Sequence, residues 1–486
     1  MAEPVLQALH ASPMSAGSDR PSSDVTHYRT KTMSAVVAVI GRPNVGKSTF
    51  FNRVTRTGDA LVDDVPGVTR DRHFGQARWN DTVFTLVDTG GFAGQIDDPF
   101  AAAIQDQVLQ AIEDADAVVV LFDGKQGISP YDREMIHLVR AAPKPVFYAV
   151  NKIDGPEQES GLVDFYDLGL DTIYPISSAH RFGLNDFLDA LVDALPPAPR
   201  VSSDGEIGLA VVGRPNVGKS SLINRLLGEN RHLVSDVPGT TRDAVDSVLV
   251  RGEKTYRIID TAGIRRKGRV KQKIEKFSVI KALKSLDRCD VALIVLDASE
   301  GITDQDISIA GYAYDRGCGC VFLFNKWDLV EGGDREARRF HDELRMAAKF
   351  LSFAPAITIS ALTGRRVQRI YALIDDVARQ HRLRIATGQL NRLLEAAIQK
   401  NEPSLHRGRR LKFYYAAQVT TGPPTFVVFV NYPDAVHFSY QRYLINQIRE
   451  GTALDKTPIR LIFRQRSGKI DFSRRRPAAG RKPRKR

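Results

Sequence analysis

Cysteine is scarce in this chain of 486 residues: three occur, Cys289, Cys318 and Cys320. An odd count without paired spacing argues against a disulfide framework or a zinc site, and fits a reducing compartment. Cys318 and Cys320 flank one glycine at the start of an apolar run, so burial in a strand is expected rather than redox chemistry. No run approaches the ~20 apolar residues that span a bilayer, and the chain does not open on a basic segment followed by an apolar core. Secretion and membrane insertion are therefore not expected, and a cytoplasmic location is. Hydrophobic residues make up 43% and charged residues 26%, an ordinary balance for globular domains with sizeable cores. The length divides into about three of them.

Acidic residues are missing from one end. Residues 474–486 hold eight basic side chains and no acidic one, within a formal net charge of +12. Such a tail favours a polyanionic partner, because Lys and Arg gain affinity by releasing counterions from phosphate backbones; a solvated tail that aids solubility is the plainer alternative. Periodicity is missing from the other end. Residues 1–33 are rich in Ser, Pro, Asp and Thr and read as a disordered extension. Met33 directly precedes the first strand-like run, and translation starting there is an expectation.

What the chain does contain is itself, twice. GRPNVGKST begins at Gly41 and GRPNVGKSS at Gly213, DVPGVTRD at Asp64 and DVPGTTRD at Asp236, DTGG at Asp88 and DTAG at Asp260, all offset by 172 residues. NKID at Asn151 reappears as NKWD at Asn325, 174 residues on. A last pair, SSA at Ser177 and ISA at Ile359, aligns Ser178 with Ser360 and Ala179 with Ala361. Each copy is a whole domain rather than a solenoid unit.

In both copies short β-branched runs alternate with longer amphipathic stretches, the signature of a mostly parallel sheet with helices on both faces. AVVAVI, TVFTLVD, DAVVVLFD and KPVFYAVN read as strands, matched by GLAVVG, TYRIID, DVALIVLD and GCVFLFN. The expected division is a first α/β domain over 34–196, a Pro- and Ser-rich linker over 197–206, a second over 207–381, a small α+β domain over 382–472 and a basic disordered tail over 473–486. In the α+β domain a helix (GQLNRLLEAAIQK), two strands (LKFYYAAQV, TFVVFVN), a helix (YQRYLINQIRE) and a strand (IRLIFR) follow in order.

The glycine-rich loops follow a strand and open a helix, the context a phosphate-binding loop requires. Gly41, Arg42, Pro43, Asn44, Val45, Gly46, Lys47, Ser48 and Thr49 form the first; Gly213, Arg214, Pro215, Asn216, Val217, Gly218, Lys219, Ser220 and Ser221 form the second. Backbone amides would surround phosphates, Lys47 and Lys219 would reach the β and γ phosphates, and the Ser48 and Ser220 hydroxyls would ligate magnesium. Asp88 and Asp260 would hold magnesium through water while Gly91 and Gly263 donate an amide to the γ-phosphate. Thr69 and Thr241 are the candidates to close over magnesium from a mobile segment. The NKxD motifs specify the base: Asp154 and Asp328 can accept from guanine N1 and its 2-amino group, donors that adenine lacks. Asn151 and Asn325 are expected to brace the base edge and the phosphate loop. The Lys152 and Lys326 stems would pack across the purine, and Ser178, Ala179, Ser360 and Ala361 complete the set. GTP is the expected nucleotide.

With these motifs together, the chain resembles the bacterial Der (EngA) GTPases, over about residues 34–470. The resemblance rests on both GRPNVGKS loops, both PGxTRD segments, DTGG and DTAG, NKID and NKWD, and TFVVFVNYPDAVHFSYQRYLINQIRE. It implies tandem GTPase domains with a C-terminal KH-like domain, in a cytoplasmic switch protein that contacts ribosomal RNA and assists maturation of the large ribosomal subunit. Neither DNA nor membrane is an expected partner, and a monomer is expected. The resemblance also places hydrophobic Phe92 and Ile264 where other GTPases carry a catalytic glutamine, so neither site can orient water in that way. Related GTPases use potassium held by an asparagine of the phosphate loop, here Asn44 and Asn216, which implies slow turnover that potassium accelerates and sodium does not. Pro-Asn also suits a tight loop, and a purely conformational role for both asparagines stays open. The catalytic set is thus Lys47, Asn44 and Thr69, with Lys219, Asn216 and Thr241.

Two features set regions apart. Residues 265–273 carry six basic side chains where the first copy reads FAGQIDDPF, so nucleotide state could govern RNA contact there, or the segment could be a solvated loop. In the KH-like region no GxxG lies between the helices, which makes backbone clamping of nucleic acid doubtful. Arg407, Arg409, Arg410 and Lys412 could contact phosphates. The run Phe413, Tyr414, Tyr415 resembles a stacking platform, but strand alternation favours core packing of Phe413 and Tyr415. Two other functions fit less well: a GTPase of tRNA modification, disfavoured because its C-terminal cysteine is absent, and an RNA-binding scaffold with one structural site, disfavoured because both copies keep every motif residue.

Overall fold

The computed structural model describes residues 35–56, 74–80, 82–89, 109, 111–140, 142–170, 172–196, 205–228, 234–238, 245–260, 279–405 and 408–465. Thr69, Thr241, Gly91, Gly263, Phe92, Ile264, Arg407, the basic segment 265–273, both terminal stretches and linker residues 197–204 lie outside them.

Strand-forming runs in the first repeat give β1 (Ala35–Ile40), β2 (Phe74–Trp79), β3 (Thr82–Asp88), β4 (Ala117–Asp123), β5 (Val146–Asn151) and β6 (Ile173–Pro175), in the sheet order β2-β3-β1-β4-β5-β6. Neighbours pair parallel except β2, antiparallel to β3 at the edge. All seven side chains of β4 are buried, as expected of a central strand covered on both faces. On one face α1 (Lys47–Arg56) and α3 (Leu184–Asp193) bring Phe50, Phe187 and Leu191 onto Val37, Val119 and Leu121. On the other, α2 (Pro130–Arg140) brings Met135, Ile136 and Val139 onto Val118 and Val120. β1 lies between β3 and β4, so the loop leaving it emerges where the connections part to either side, the crevice in which such sheets bind ligands.

The second repeat builds β7 (Glu206–Val212), β8 (Val234–Pro238), β9 (Val245–Arg251), β10 (Lys254–Ile258), β11 (Val291–Asp297), β12 (Gly319–Asn325) and β13 (Ala356–Thr358), ordered β13-β12-β11-β7-β10-β9-β8. Its helices are α4 (Lys219–Gly228), α5 (Val279–Arg288), α6 (Asp304–Asp315), α7 (Gly333–Ala347) and α8 (Arg369–His381). Cys320 lies in β12, and all three cysteines are buried in this core. Among the described residues no helix is long and apolar enough to cross a membrane.

The C-terminal unit runs α9 (Thr387–Lys400), β14 (Phe413–Thr420), β15 (Thr425–Val430), α10 (Phe438–Gly451) and β16 (Arg460–Gln465), the helix-strand-strand-helix-strand order read from the sequence. β15 is central, antiparallel to β14 and parallel to β16. Leu390 and Leu394 of α9 and Leu444 and Ile448 of α10 cover Ala416, Phe426, Val428 and Val430. The expectation for Tyr415 fails here. A register shift between Phe413 and Tyr415 interrupts the alternation, as a bulge does. Phe413 packs with the core and Ala416 is buried, but Tyr414 and Tyr415 are 42% and 43% exposed.

One contact device recurs in the two repeats. Asp116, just before β4, accepts from the Val36 amide at 2.8 Å and pairs with Lys284 of α5 at 2.6 Å. Asp290, just before β11, accepts from the Gly208 amide at 2.8 Å and pairs with Arg382, past α8, at 2.8 Å. Around the first contact Ile280 joins Val36, Ala38, Val87, Ala111 and Ala115 in one apolar cluster, and Lys281 pairs with Asp114 at 3.3 Å. The C-terminal unit is further tied to α8 by Lys456–Asp376 at 2.5 Å and by Gln380 donating to Asp455 at 2.6 Å.

Candidate nucleotide sites in both repeats

Each glycine-rich loop is shaped by close approach. Gly41 and Gly213 have φ of 151° and 153°, and a Cβ there would strike the carbonyl oxygens of Leu121 and Val295 respectively. Gly46 and Gly218, at φ 98° and 96°, face the side-chain amides of Asn151 and Asn325 so closely that no Cβ fits. Asn44 and Asn216 also lie in the left-handed region, at φ 68° and 62°, a conformation that asparagine tolerates better than most residues. The loops run into α1 and α4, whose first turns contain no acidic residue, leaving the amide-rich helix ends open to an anion.

Lys47 is buried, its Nζ donating to the carbonyls of Gly41 at 2.7 Å and Arg42 at 2.8 Å. Burial lowers its pKa against the opposing influence of Asp88, and Lys219 donates to the Arg214 carbonyl at 2.5 Å. The Ser48 hydroxyl donates to Asp88 Oδ2 at 2.9 Å. This hydroxyl and carboxylate pair supplies the hard oxygen donors that magnesium prefers, and the cradle of amides fits phosphate. Asp88 ends β3 as expected, whereas Asp260 lies two residues beyond β10, at φ 58°, with its amide donating to Asp246 Oδ1 at 3.2 Å. Burial raises the Asp260 carboxyl.

The NKxD asparagines clamp two loops together. Asn151 Nδ2 donates to the Val45 carbonyl at 2.8 Å while its Oδ1 accepts from the Ser178 amide at 2.9 Å. Asn325 Nδ2 donates to Val217 at 2.7 Å and its Oδ1 accepts from Ala361 at 2.9 Å. These bonds correct the alignment of the last motif by one residue. Ile176 matches Ile359, each donating its amide to the preceding strand, so Ser177 pairs with Ser360 and Ser178 with Ala361. Identical letters had suggested the wrong register, because backbone bonding rather than side-chain identity sets the loop.

Lys152 and Lys326 adopt φ 71° and 59°, a strain of about 1 kcal/mol each for a residue with a Cβ. Their ammonium groups are anchored by buried carboxylates that motif reading overlooked, Asp123 at 2.6 Å and Asp297. Burial alone would raise these carboxyls; the Lys152 and Lys326 bonds, with local amide and hydroxyl donors, outweigh it and hold both below the ordinary range. The signal was present, since DAVVVLFD and DVALIVLD both end in aspartate at the same offset as NKxD. Asp154 accepts from Ser177 Oγ at 2.8 Å and from Lys125 Nζ at 3.0 Å, and these bonds, Ser177 first, lower its carboxyl pKa.

Comparison with known proteins follows the same division. A family model described as "50S ribosome-binding GTPase" matches residues 36–152 and again 208–326, and one described as "KH-domain-like of EngA bacterial GTPase enzymes, C-terminal" matches 384–464. The GTPase Der of Desulforapulum autotrophicum is 58% identical over 454 residues, covering 91% of this chain and 92% of that protein. The chain belongs to the GTPase Der family. Two further Der proteins, from Syntrophobacter fumaroxidans and Geotalea uraniireducens, are 52% and 47% identical and cover 89% and 90% of the chain, with 98% and 99% of their own lengths aligned. The Der likeness thus spans both nucleotide sites and the KH-like unit.

Proposed function

We propose that this chain binds and hydrolyses GTP at both sites and serves, as a switch, in assembly of the large ribosomal subunit through contact with ribosomal RNA. The observation that carries the reading is the asparagine clamp, built alike in both repeats, which ties the phosphate loop to the loop expected to hold the base. Guanine selection is assigned to Asp154 and Asp328, whose carboxylates accept from donors that adenine lacks. Magnesium fits Ser48 with Asp88 and Ser220 with Asp260; when bound it would neutralise developing phosphate charge. Thr69 and Thr241 close each site in this reading, and potassium is assigned to Asn44 and Asn216. The ribosomal part is supported by the description of the family model matched by both repeats and by the basic character of the chain.

Calorimetry on the full chain tests the first half: two guanine nucleotides should bind, with ATP weaker by about 10⁴-fold. Comparable binding of ATP would falsify it. Exchanging sodium for potassium tests the cation, with equal hydrolysis rates removing it from the mechanism. Sedimentation with ribosomal particles, with and without a non-hydrolysable GTP analogue, tests the second half; nucleotide-independent behaviour would sink the switch.

A further inference from the structure

The face of the C-terminal sheet turned away from α9 and α10 carries a cross-strand row that the core does not need. Tyr415 of β14 stands opposite Phe429 of β15, and Phe429 stands opposite Arg464 of β16. The Tyr415 and Phe429 rings lie stacked, 4.4 Å between centroids and 21° from parallel. On the same strand Phe426, Val428 and Val430 face the helices and are buried, whereas on the opposite face Thr425 and Val427 are buried and Phe429 is only partly covered. Tyr415 reaches this face because of the bulge at the start of β14, the kind of irregularity that re-aims a side chain. Leaving Tyr415 exposed and Phe429 only half-covered forgoes burial that a regular strand would have gained.

The surroundings are cationic. Exposed Lys412 directly precedes β14, exposed Arg464 ends the row, and exposed Arg409 donates to the Tyr432 hydroxyl at 3.1 Å just past β15. The nearby acid Glu402 is paired with Arg410 at 2.6 Å. A stacked aromatic pair rimmed by positive charge can be extended by a base that carries its phosphate, since every base offers a π-face and stacking tolerates any sequence.

We propose that Tyr415 and Phe429 form a stacking platform for an unpaired nucleobase, with Lys412 and Arg464 holding the adjoining phosphates. Its occupant is a single-stranded segment of RNA; the choice of RNA rests on the ribosomal role proposed above. The platform replaces, by a different surface, the backbone clamp that the missing GxxG would have supplied.

The test is fluorescence anisotropy of the full chain with a short oligoadenylate and with its abasic analogue, which retains every phosphate. Tyr415→Leu and Phe429→Leu should each weaken oligoadenylate binding roughly 5- to 100-fold, and Tyr415→Phe should restore it. The abasic analogue should bind the wild-type chain no better than oligoadenylate binds Tyr415→Leu. Lys412→Ala should weaken both ligands alike and flatten the salt dependence. Equal wild-type affinity for the two oligomers, or indifference to both leucine substitutions, overturns the proposal, and that indifference is the result expected if the face instead receives a polypeptide. Ribosomal sedimentation of the wild-type chain separates the two readings: sedimentation without discrimination between oligoadenylate and its abasic analogue removes the platform and leaves the ribosomal role intact, whereas discrimination without sedimentation does the reverse.

Discussion

In the first nucleotide site Asp154 is engaged by Ser177 and Lys125, and Ser48 touches Asp88. In the second, Asp328 is exposed and has no ion pair among the described residues, and Ser299, which follows Asp297 at the position of Lys125, donates to Asp297 instead. The asparagine clamp and the left-handed lysine are the same in both. The repeat therefore keeps what sets backbone geometry and varies the side chains that hold the acidic groups. One domain can differ from the other in nucleotide affinity without any change in the frame.

The largest effect should come from the proposed base contact. Asp328→Asn and Asp154→Asn each exchange an acceptor for a donor facing guanine N1, and guanine nucleotide affinity at the altered site should fall about 10³-fold or more; calorimetry that still counts two equal sites would break the assignment. Next come the glycines under the clamp. Gly46→Ala and Gly218→Ala combine a positive φ with a collision against Asn151 or Asn325, so each should cost about 1–3 kcal/mol locally and abolish tight binding at its own site alone. Loss at both sites from one substitution would show that the repeats are not independent frames.

Lys125→Ala sharpens the difference between the repeats. It removes a pair in which the lysine is 58% exposed and therefore screened by solvent, and frees Asp154 for the base assigned to it. Affinity at the first site should rise up to about fivefold while the second site is unchanged; a fall would mean that Lys125 itself touches nucleotide. Lys284→Ala should loosen the docking of the first domain on the second by about 1 kcal/mol, read as faster hydrogen exchange in β1 and α5, while leaving the Arg382–Asp290 contact undisturbed.

The smallest effect is one of pH, at Asp376 and Lys456 between the second domain and the C-terminal unit. The Lys456 bond lowers the Asp376 carboxyl, and the same bond raises Lys456. The carboxylate contribution is therefore complete above its unfolded value, about 3.9, and is lost as pH falls through the lower native one. The lysine contribution is complete below about 10.4 and is lost as pH rises through the raised native value. Urea midpoints of the wild type and Asp376→Asn should differ by a constant amount from about pH 5 to 9 and converge as acid protonates the native carboxylate, at pH below the unfolded value of about 3.9.

Much of this was legible beforehand. The run GCVFLFN is β12 to the residue, and AVVAVI is β1, because buried parallel strands must be apolar on both faces. The phosphate loops and NKxD motifs sit where their spacing placed them. The edge strand β2 escaped notice, since FGQARW has half-exposed, mixed side chains with no clear period. Tyr415 was misread because alternation predicts a face only while register holds, and a bulge leaves no mark in the residue pattern. Asp123 and Asp297 were visible as repeated letters, yet their role as lysine anchors required two strands to be seen side by side.

The sequence alone determined that two domains of one kind exist and where each phosphate loop begins. These follow from local rules: glycine where φ must be positive and apolar runs where a strand is buried. Only the tertiary structure decided how Asp116 receives Lys284 of α5 and Asp290 receives Arg382 just past α8, which serine meets Asp154, and which ring of β14 faces outward. Those outcomes depend on groups many residues apart coming within hydrogen-bonding reach, a distance that one-dimensional spacing does not encode.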